Sequence, residues 1–226
     1  MRTAAILPVK RFADAKQRLG ASVSAPLRES LARAMVADVL AAVARVAAIE
    51  RAIVITREPA VVAEASACGA LVLDDAAQAG QSAAVQIGIA RALRDGYERA
   101  LCIPGDCPAL EPAELEALLG DAGAAHEVVI VPDRHGTGTN GLLLTPADVI
   151  APGFGPDSCA RHRRRAEAAG APWRLARPPS LLLDVDTGED LAALRARLAG
   201  PADSAARTRA VLAEREHELS LAASGA

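Results

Sequence analysis

Aromatic side chains are nearly absent from this 226-residue chain: Phe12, Tyr97, Phe154 and Trp173 are the whole set. A base or other flat ligand held between stacked rings is therefore excluded, and such a ligand would be read by backbone and polar groups. No apolar run approaches the roughly 20 residues that cross a bilayer. The opening "MRTAAILPVKRF" has too short an apolar stretch, followed at once by charge, for a secretory signal. No membrane partner is expected, and the cytoplasm is the expected compartment. The four cysteines, Cys68, Cys102, Cys107 and Cys159, show neither CxxC spacing nor a histidine at zinc-finger distance, so they read as reduced and structural. A net charge of −3 lacks the basic face that general nucleic-acid binding needs. After the first expected strand the chain reads "LPVKRFADAKQRL", which is neither a GxGxxG fingerprint nor a phosphate-binding GxxxxGK loop. That counts against dehydrogenases and kinases of those types.

What is present is a long apolar chain, 51% hydrophobic, enough for one large domain with a substantial core. Residues 1–200 read as a single domain and 201–226 as a helical tail whose end is disordered. Strands are expected at 3–9, 51–56, 70–74, 100–104, 127–132 and 141–145, and helices at 26–46, 60–68, 82–96 and 111–122. In the first helix Leu27, Leu31, Met35, Val39 and Val43 recur every fourth residue, one face of an amphipathic helix. Strands that are apolar throughout and alternate with helices indicate a mostly parallel sheet covered on both faces, a three-layer α/β/α architecture of Rossmann-like kind. After Pro146 the alternation loosens into a loop feeding a basic helix, a short strand at 173–176, and a strand at "SLLLDVD" that turns into a helix. Thr187 and Asp190 are spaced as a carboxylate variant of the capping box.

Ligands of open α/β sheets bind beyond the carboxyl ends of the strands, and three aspartates fall there. Asp106 follows the apolar run in "ALCIPGDCPAL", and Asp184 and Asp186 flank Val185 in "LLLDVDT", a spacing that puts both on one side of an extended chain. Three converging carboxylates repel unless a hard cation such as magnesium lies between them. The alternative is that Asp106 completes a turn and Asp186 starts a helix, and spacing leaves both open. "DRHGTGTNGLLL" and "FGPDSCARHRRR" add small hydroxyls, Gly155, Ser158 and a helix start, the makings of a phosphate site. Arg161, Arg163, Arg164 and Arg165 are too many for one anion and read mainly as a solvated basic face. His135 and His162 lack a visible partner and read as hydrogen-bonding residues, not catalysts. Lys10 and Lys16 follow the first strand, where many α/β nucleotide sites hold phosphates, and "AGQSAAV" (79–85) is the place for a base.

Together, "LPVKRFADAKQRL", "PGDCPAL", "DRHGTGTNGLLL", "FGPDSCARH" and "LDVDTGEDL" resemble, in order, the guanylyltransferases of coenzyme F-420 biosynthesis. The resemblance implies a fold of the nucleotide-diphospho-sugar transferase type and transfer of GMP from GTP to a small phosphorylated three-carbon acid. That acid is phosphoenolpyruvate or 2-phospho-L-lactate, and pyrophosphate is released. It implies that Asp106, Asp184 and Asp186 hold Mg2+, with Lys16 joining them in catalysis, and that Thr139, Gly155 and Ser158 hold the acid's phosphate. Pro8, Val9, Lys10, Lys16, Gly80, Ser82, Pro104 and Gly105 would receive GTP. It further implies hand-over of a labile product to the next pathway enzyme. Gln81 and Ser82 depart from the Asn that relatives often carry near there, while "FGPDS" and "AARTRAVLAER" look like actinobacterial members that accept phosphoenolpyruvate. The competing expectations are another acceptor, such as 3-phosphoglycerate, a molybdopterin or a sugar phosphate, and a catalytically silent nucleotide-binding module.

Overall fold

The computed structural model describes residues 1–14, 16, 18–19, 23–121, 126–200 and 204–214. Seven strands form one sheet: β1 (Thr3–Val9), β2 (Arg51–Thr56), β3 (Leu71–Leu73), β4 (Arg99–Cys102), β5 (Glu127–Pro132), β6 (Thr139–Thr145) and β7 (Trp173–Leu175). Their order is β3-β2-β1-β4-β6-β5-β7. The β1, β2, β3 and β4 pairings are parallel, as is β5 with β7, whereas β6 is antiparallel to both neighbours. Because β6 runs backwards, its first residues, Thr139 and Asn140, reach the edge where the other strands end.

The helices are α1 (Ala25–Val43), α2 (Pro59–Ala67), α3 (Gln81–Arg94), α4 (Pro112–Gly120), α5 (Ser158–Ala168) and α6 (Gly188–Leu198). Strand side chains alternate between faces, and the core is sorted accordingly. Ala5, Leu7, Val54, Leu101 and Val129 pack with Val36, Val39, Val61 and Leu115 of α1, α2 and α4. Ile6, Ile53, Ile55, Cys102 and Ile130 pack with Val85, Ile89 and Ala166 of α3 and α5. The contact with α3 is close: a Cβ on Gly88 would lie 2.5 Å from Ile6 Cγ2 and 2.8 Å from Ile55 Cδ1. The three expected layers are therefore present.

The strand expected over "SLLLDVD" is not formed. Pro179–Leu181 make a 3-10 turn, and residues 182–186 belong to no strand or helix. The Ser180 N–H and hydroxyl donate to the Glu114 carboxylate at 2.8 and 2.7 Å, and the Asp186 N–H donates to Asp190 Oδ2. These side chains take the place of a neighbouring strand, and the Val185 N–H donates to the Asp106 carbonyl. The apolar residues are buried anyway: Leu183 and Val185 join Leu19, Leu31, Met35, Leu191 and Leu194 in a third cluster. The capping box at Thr187 and Asp190 is formed in both directions.

Beyond α6, residues 206–214 are helical. Asp38 of α1, which is buried, accepts from the backbone N–H groups of Arg207 and Thr208 and from the Thr208 hydroxyl. It thus caps a helix that is not its own. Ala205 and Leu212 complete the third cluster. Ser220 and the expected disordered end lie outside the described residues.

Candidate active site

A cavity of about 470 Å³ opens along the carboxyl ends of β1, β2, β3 and β4. Nine residues expected at the site line it: Pro8 and Val9 at the end of β1, Lys10 and Lys16 after it, Gly80 before α3, Pro104, Gly105 and Asp106 after β4, and Asp186 before α6. Gly80 has φ of 96°, a left-handed conformation that admits glycine without strain, and it lets the chain turn from β3 into α3. Ser82 is absent from the lining. Its hydroxyl instead accepts the Phe154 N–H at 2.9 Å and ties α3 to the loop before α5.

Lys16 lies between two of the aspartates. Its ammonium donates to Asp106 Oδ2 and, at 2.7 Å, to Asp186 Oδ1, with its side chain only 8% exposed. Burial opposes its charge, but the two carboxylates outweigh burial and hold its pKa above the ordinary lysine range. Asp184 is held differently, accepting from Asn140 Nδ2 at 3.1 Å. Burial, and then the nearby Asp106 charge, push its pKa up to about 6 against that hydrogen bond. Three carboxylates thus crowd one place with one ammonium among them. Among the described residues no three acidic, histidine or cysteine side chains close on a single point as a metal cluster would. Asp106 Oδ1 is nonetheless buried without a hydrogen-bond partner. An unpartnered carboxylate oxygen beside Asp184 and Asp186 is an all-oxygen donor set, which fits a hard cation.

Across the β4–β6 junction the polar groups are closed in. Thr139 is 7% exposed and Ser158 1%. His162, fully buried on α5, lies 3.1 Å from Thr139 Oγ1 through Nδ1 and accepts the Gly153 N–H at Nε2, 2.9 Å away. Burial, then Arg165 and Arg161, lower its pKa to about 4, so the ring is neutral. The expectation that α5 starts with free N–H groups needs correction. The Ser158 N–H donates to the Gly155 carbonyl and the Cys159 N–H to Thr137, because Gly155 and Asp157, both at positive φ, fold the loop back over the helix end. The basic run is also only partly a solvated face. Arg161 donates to the carbonyls of Gly153 and Pro156, and Arg165 to that of Ala151, so two of the four arginines brace that loop. Arg163 lies over Trp173.

Sequence reasoning missed Asn140, Asp75, which lines the cavity with a buried unpartnered Oδ1, and the bracing role of Arg161 and Arg165; it read His162 as a hydrogen-bonding residue, which it is, but not its partners. The polar pair Thr139-Asn140 opening a buried strand was a usable signal for Asn140. Nothing local marks His162, whose partners lie 23 and 9 positions away.

With this geometry in view, the family described as "Guanylyl transferase CofC like" matches residues 3–202. A phosphoenolpyruvate guanylyltransferase from Conexibacter woesei is 51% identical over 213 residues, covering 94% of this chain and 96% of that protein. One from Mycobacterium leprae is 40% identical, covering 84% and 87%. Among solved structures, a Desulfovibrio desulfuricans G20 protein assigned as a nucleotide-diphospho-sugar transferase superposes with a TM-score of 0.75 at 20% identity, covering 96% of each chain. A nucleotidyl transferase from Methanothermobacter superposes at 0.60 with 19% identity, covering 87% of this chain and 97% of that one. The fold is that of the nucleotidyltransferases. The chain belongs to the CofC-like guanylyl transferase family. No helix among the described residues is long and apolar enough to cross a membrane.

Proposed function

We propose that the chain transfers GMP from GTP to phosphoenolpyruvate, releasing pyrophosphate. The observation that carries this reading is the meeting of Lys16, Asp106, Asp184 and Asp186 at the seam between an open cavity and a closed polar cluster. The relatives named above support the choice of acid. GTP would lie in the cavity with its phosphates toward Lys10 and Lys16, and the acceptor would lie toward Thr139, Gly155 and Ser158. A phosphate oxygen of the acceptor attacks the α-phosphorus, a new P–O bond forms, and the bond to the bridging oxygen of the β-phosphate breaks. The nucleophile is already ionised at neutral pH, so no general base is needed, in keeping with a neutral, buried His162. Lys16 would leave its aspartates to meet the charge that develops on the α-phosphate. Asp106, Asp184 and Asp186 would hold Mg2+, which when bound offsets the repulsion of two anions and stabilises the pentavalent centre.

The base end of the cavity supports guanine. Asp75 follows edge strand β3 and Asp106 follows β4, three strand spacings apart in the sheet, or about 14 Å. That separation suits a nucleotide stretched from α-phosphate to base edge. Asp75 lines the cavity with Oδ1 buried and unpartnered. A carboxylate there accepts from the N1–H and the amino group of guanine, whereas adenine presents an acceptor at N1. A site built on such bonds discriminates strongly against a base that lacks them.

A pyrophosphate-release panel tests the reading: GTP, ATP, CTP and ITP against phosphoenolpyruvate, 2-phospho-L-lactate and 3-phosphoglycerate, with magnesium. The expected best pair is GTP with phosphoenolpyruvate, and ITP, which lacks the amino group, is expected to fall behind GTP in wild type but not in Asp75→Ala. Phosphoenolpyruvate carries its phosphate on the carbon next to the carboxylate, closer than in 3-phosphoglycerate, and a misplacement of about 1 Å costs on the order of a hundredfold in rate. A best rate with 3-phosphoglycerate would sink the acceptor assignment while leaving the enzyme class standing.

A further inference from the structure

The hydrogen bonds around His162 fix which way a neighbouring proton points. The Gly153 N–H donates to Nε2, so Nε2 carries no hydrogen, and the neutral ring must carry its proton on Nδ1. Nδ1 therefore donates to Thr139 Oγ1, 3.1 Å away. The reverse polarity, with Thr139 donating, would require a proton on Nε2 facing the Gly153 N–H, two donors head to head. Thr139 Oγ1 thus has one lone pair taken from inside the protein, and its own hydroxyl proton is left to donate elsewhere. An anion is the partner best served by that arrangement.

We propose that His162 is a positioning residue for the acceptor: by donating to Thr139 it commits the Thr139 hydroxyl to act as a donor to the acceptor's phosphate, and by accepting from Gly153 it fixes the loop that carries Gly155 against β6. This rests on the reading that Thr139 contacts the acceptor. The same ring links strand β6 to the loop over the start of α5, so one side chain sets the distance between the two walls of the acceptor site. Phe154 packs edge-on against the imidazole, centroids 5.1 Å apart, and keeps water from offering either nitrogen another partner. Ligand recognition on this side then depends on a residue that never touches the ligand.

The first test uses the wild-type protein. Long-range proton–nitrogen spectra of histidine-labelled enzyme, with His162 assigned by its loss in His162→Gln, should show the Nδ1–H tautomer, the minor form of free histidine. An Nε2–H tautomer overturns the proposal. The second test separates the KM values of phosphoenolpyruvate and GTP. In His162→Asn the side-chain amide can still donate toward Thr139, whereas in His162→Gln it lies at the Gly153 side only. Thr139→Val and His162→Gln should each raise the phosphoenolpyruvate KM about tenfold or more, the effect of losing one hydrogen bond to a charged group, and leave the GTP KM unchanged. His162→Asn, which keeps a donor toward Thr139 but gives up the bond to Gly153, should raise the phosphoenolpyruvate KM less than His162→Gln does, and the double variant Thr139→Val/His162→Gln should be no worse than Thr139→Val. Equal effects on both substrates in His162→Gln, or none, overturn the role of His162 while the acceptor site stands. A Thr139→Val variant with an unchanged phosphoenolpyruvate KM removes the acceptor reading itself and the proposal with it.

Discussion

The two halves of the sheet meet their ligands in opposite conditions. On the β3-β2-β1-β4 side every pairing is parallel, and the strand ends open onto a cavity with two lysines, two arginines and an unpartnered Asp75 oxygen. On the β6-β5-β7 side one strand is reversed, and the polar groups at the same edge are buried and already bonded to one another. The difference matches the sizes of what each would hold. A nucleotide needs room and brings its own phosphates to the cations of the lining. A three-carbon acid is too small to organise a loose site, so its donors are oriented in advance, which lowers the ordering cost of binding.

The sharpest way to break this comparison is at the seam. Asp106→Asn, Asp184→Asn and Asp186→Asn are each expected to cut pyrophosphate release at least about a thousandfold with the circular dichroism spectrum intact, since on the proposed reading each would remove a ligand of the magnesium ion and with it several kcal/mol of transition-state stabilisation. Near wild-type turnover in any two would mean that the seam is not where chemistry occurs.

A pH titration sharpens the claim that the acceptor half is organised in advance. The His162 pKa falls from its ordinary 6.5 to about 4 on folding, so between those values the unfolded chain binds more protons than the folded one. Stability therefore rises with pH across that window and is lost as pH falls through it, by on the order of 3 kcal/mol. Between pH 7 and 4.5 the raised pKa of Asp184 acts in the opposite sense, so the contribution of His162 is read as a difference: urea unfolding at the two pH values should show wild type losing more stability on acidification than His162→Gln. An identical drop in the variant would rule out His162 as its source.

In the nucleotide half the scaffold, not the lining, is predicted to be intolerant. Gly88→Ala drives a methyl into Ile6 and Ile55 and is expected to cost about 1 to 3 kcal/mol, read as a lower urea midpoint; an unchanged midpoint would show that α3 rests loosely on the sheet. The smallest effect is expected away from both halves. Thr187→Ala removes one arm of the α6 capping box and should cost about 1 kcal/mol in the same assay, and a loss of several would implicate the cap in placing Asp186.

The layers and strand ends were legible because they depend on short-range patterns. "AAIL", "AIVI" and "VVIVP" are apolar throughout, which only a sheet covered on both faces accommodates. The error at "SLLLDVD" has a physical source: Leu181, Leu183 and Val185 alternate as a strand would, yet Leu183 and Val185 are buried in the third cluster with residues of α1 and α6, Leu181 joins the first cluster, and Glu114 satisfies Ser180. Asp106, Asp186 and Lys16 were each visible, but their pairing was not, because it joins positions 90 and 170 residues apart. The arginines of α5 read as a surface stripe for the same reason. Their carbonyl partners exist only once two residues at positive φ have bent the loop back.

The cap that Asp38 provides to the last described helix bears on how the molecule is made. Leu19, three residues past Lys16, is buried in a cluster that Ala205 and Leu212 complete, so contacts roughly two hundred residues apart in the chain help to hold the loop that carries the lysine. Such distant contacts form late. Until that helix docks, the strands can be in order while the cluster beside Lys16 is still open.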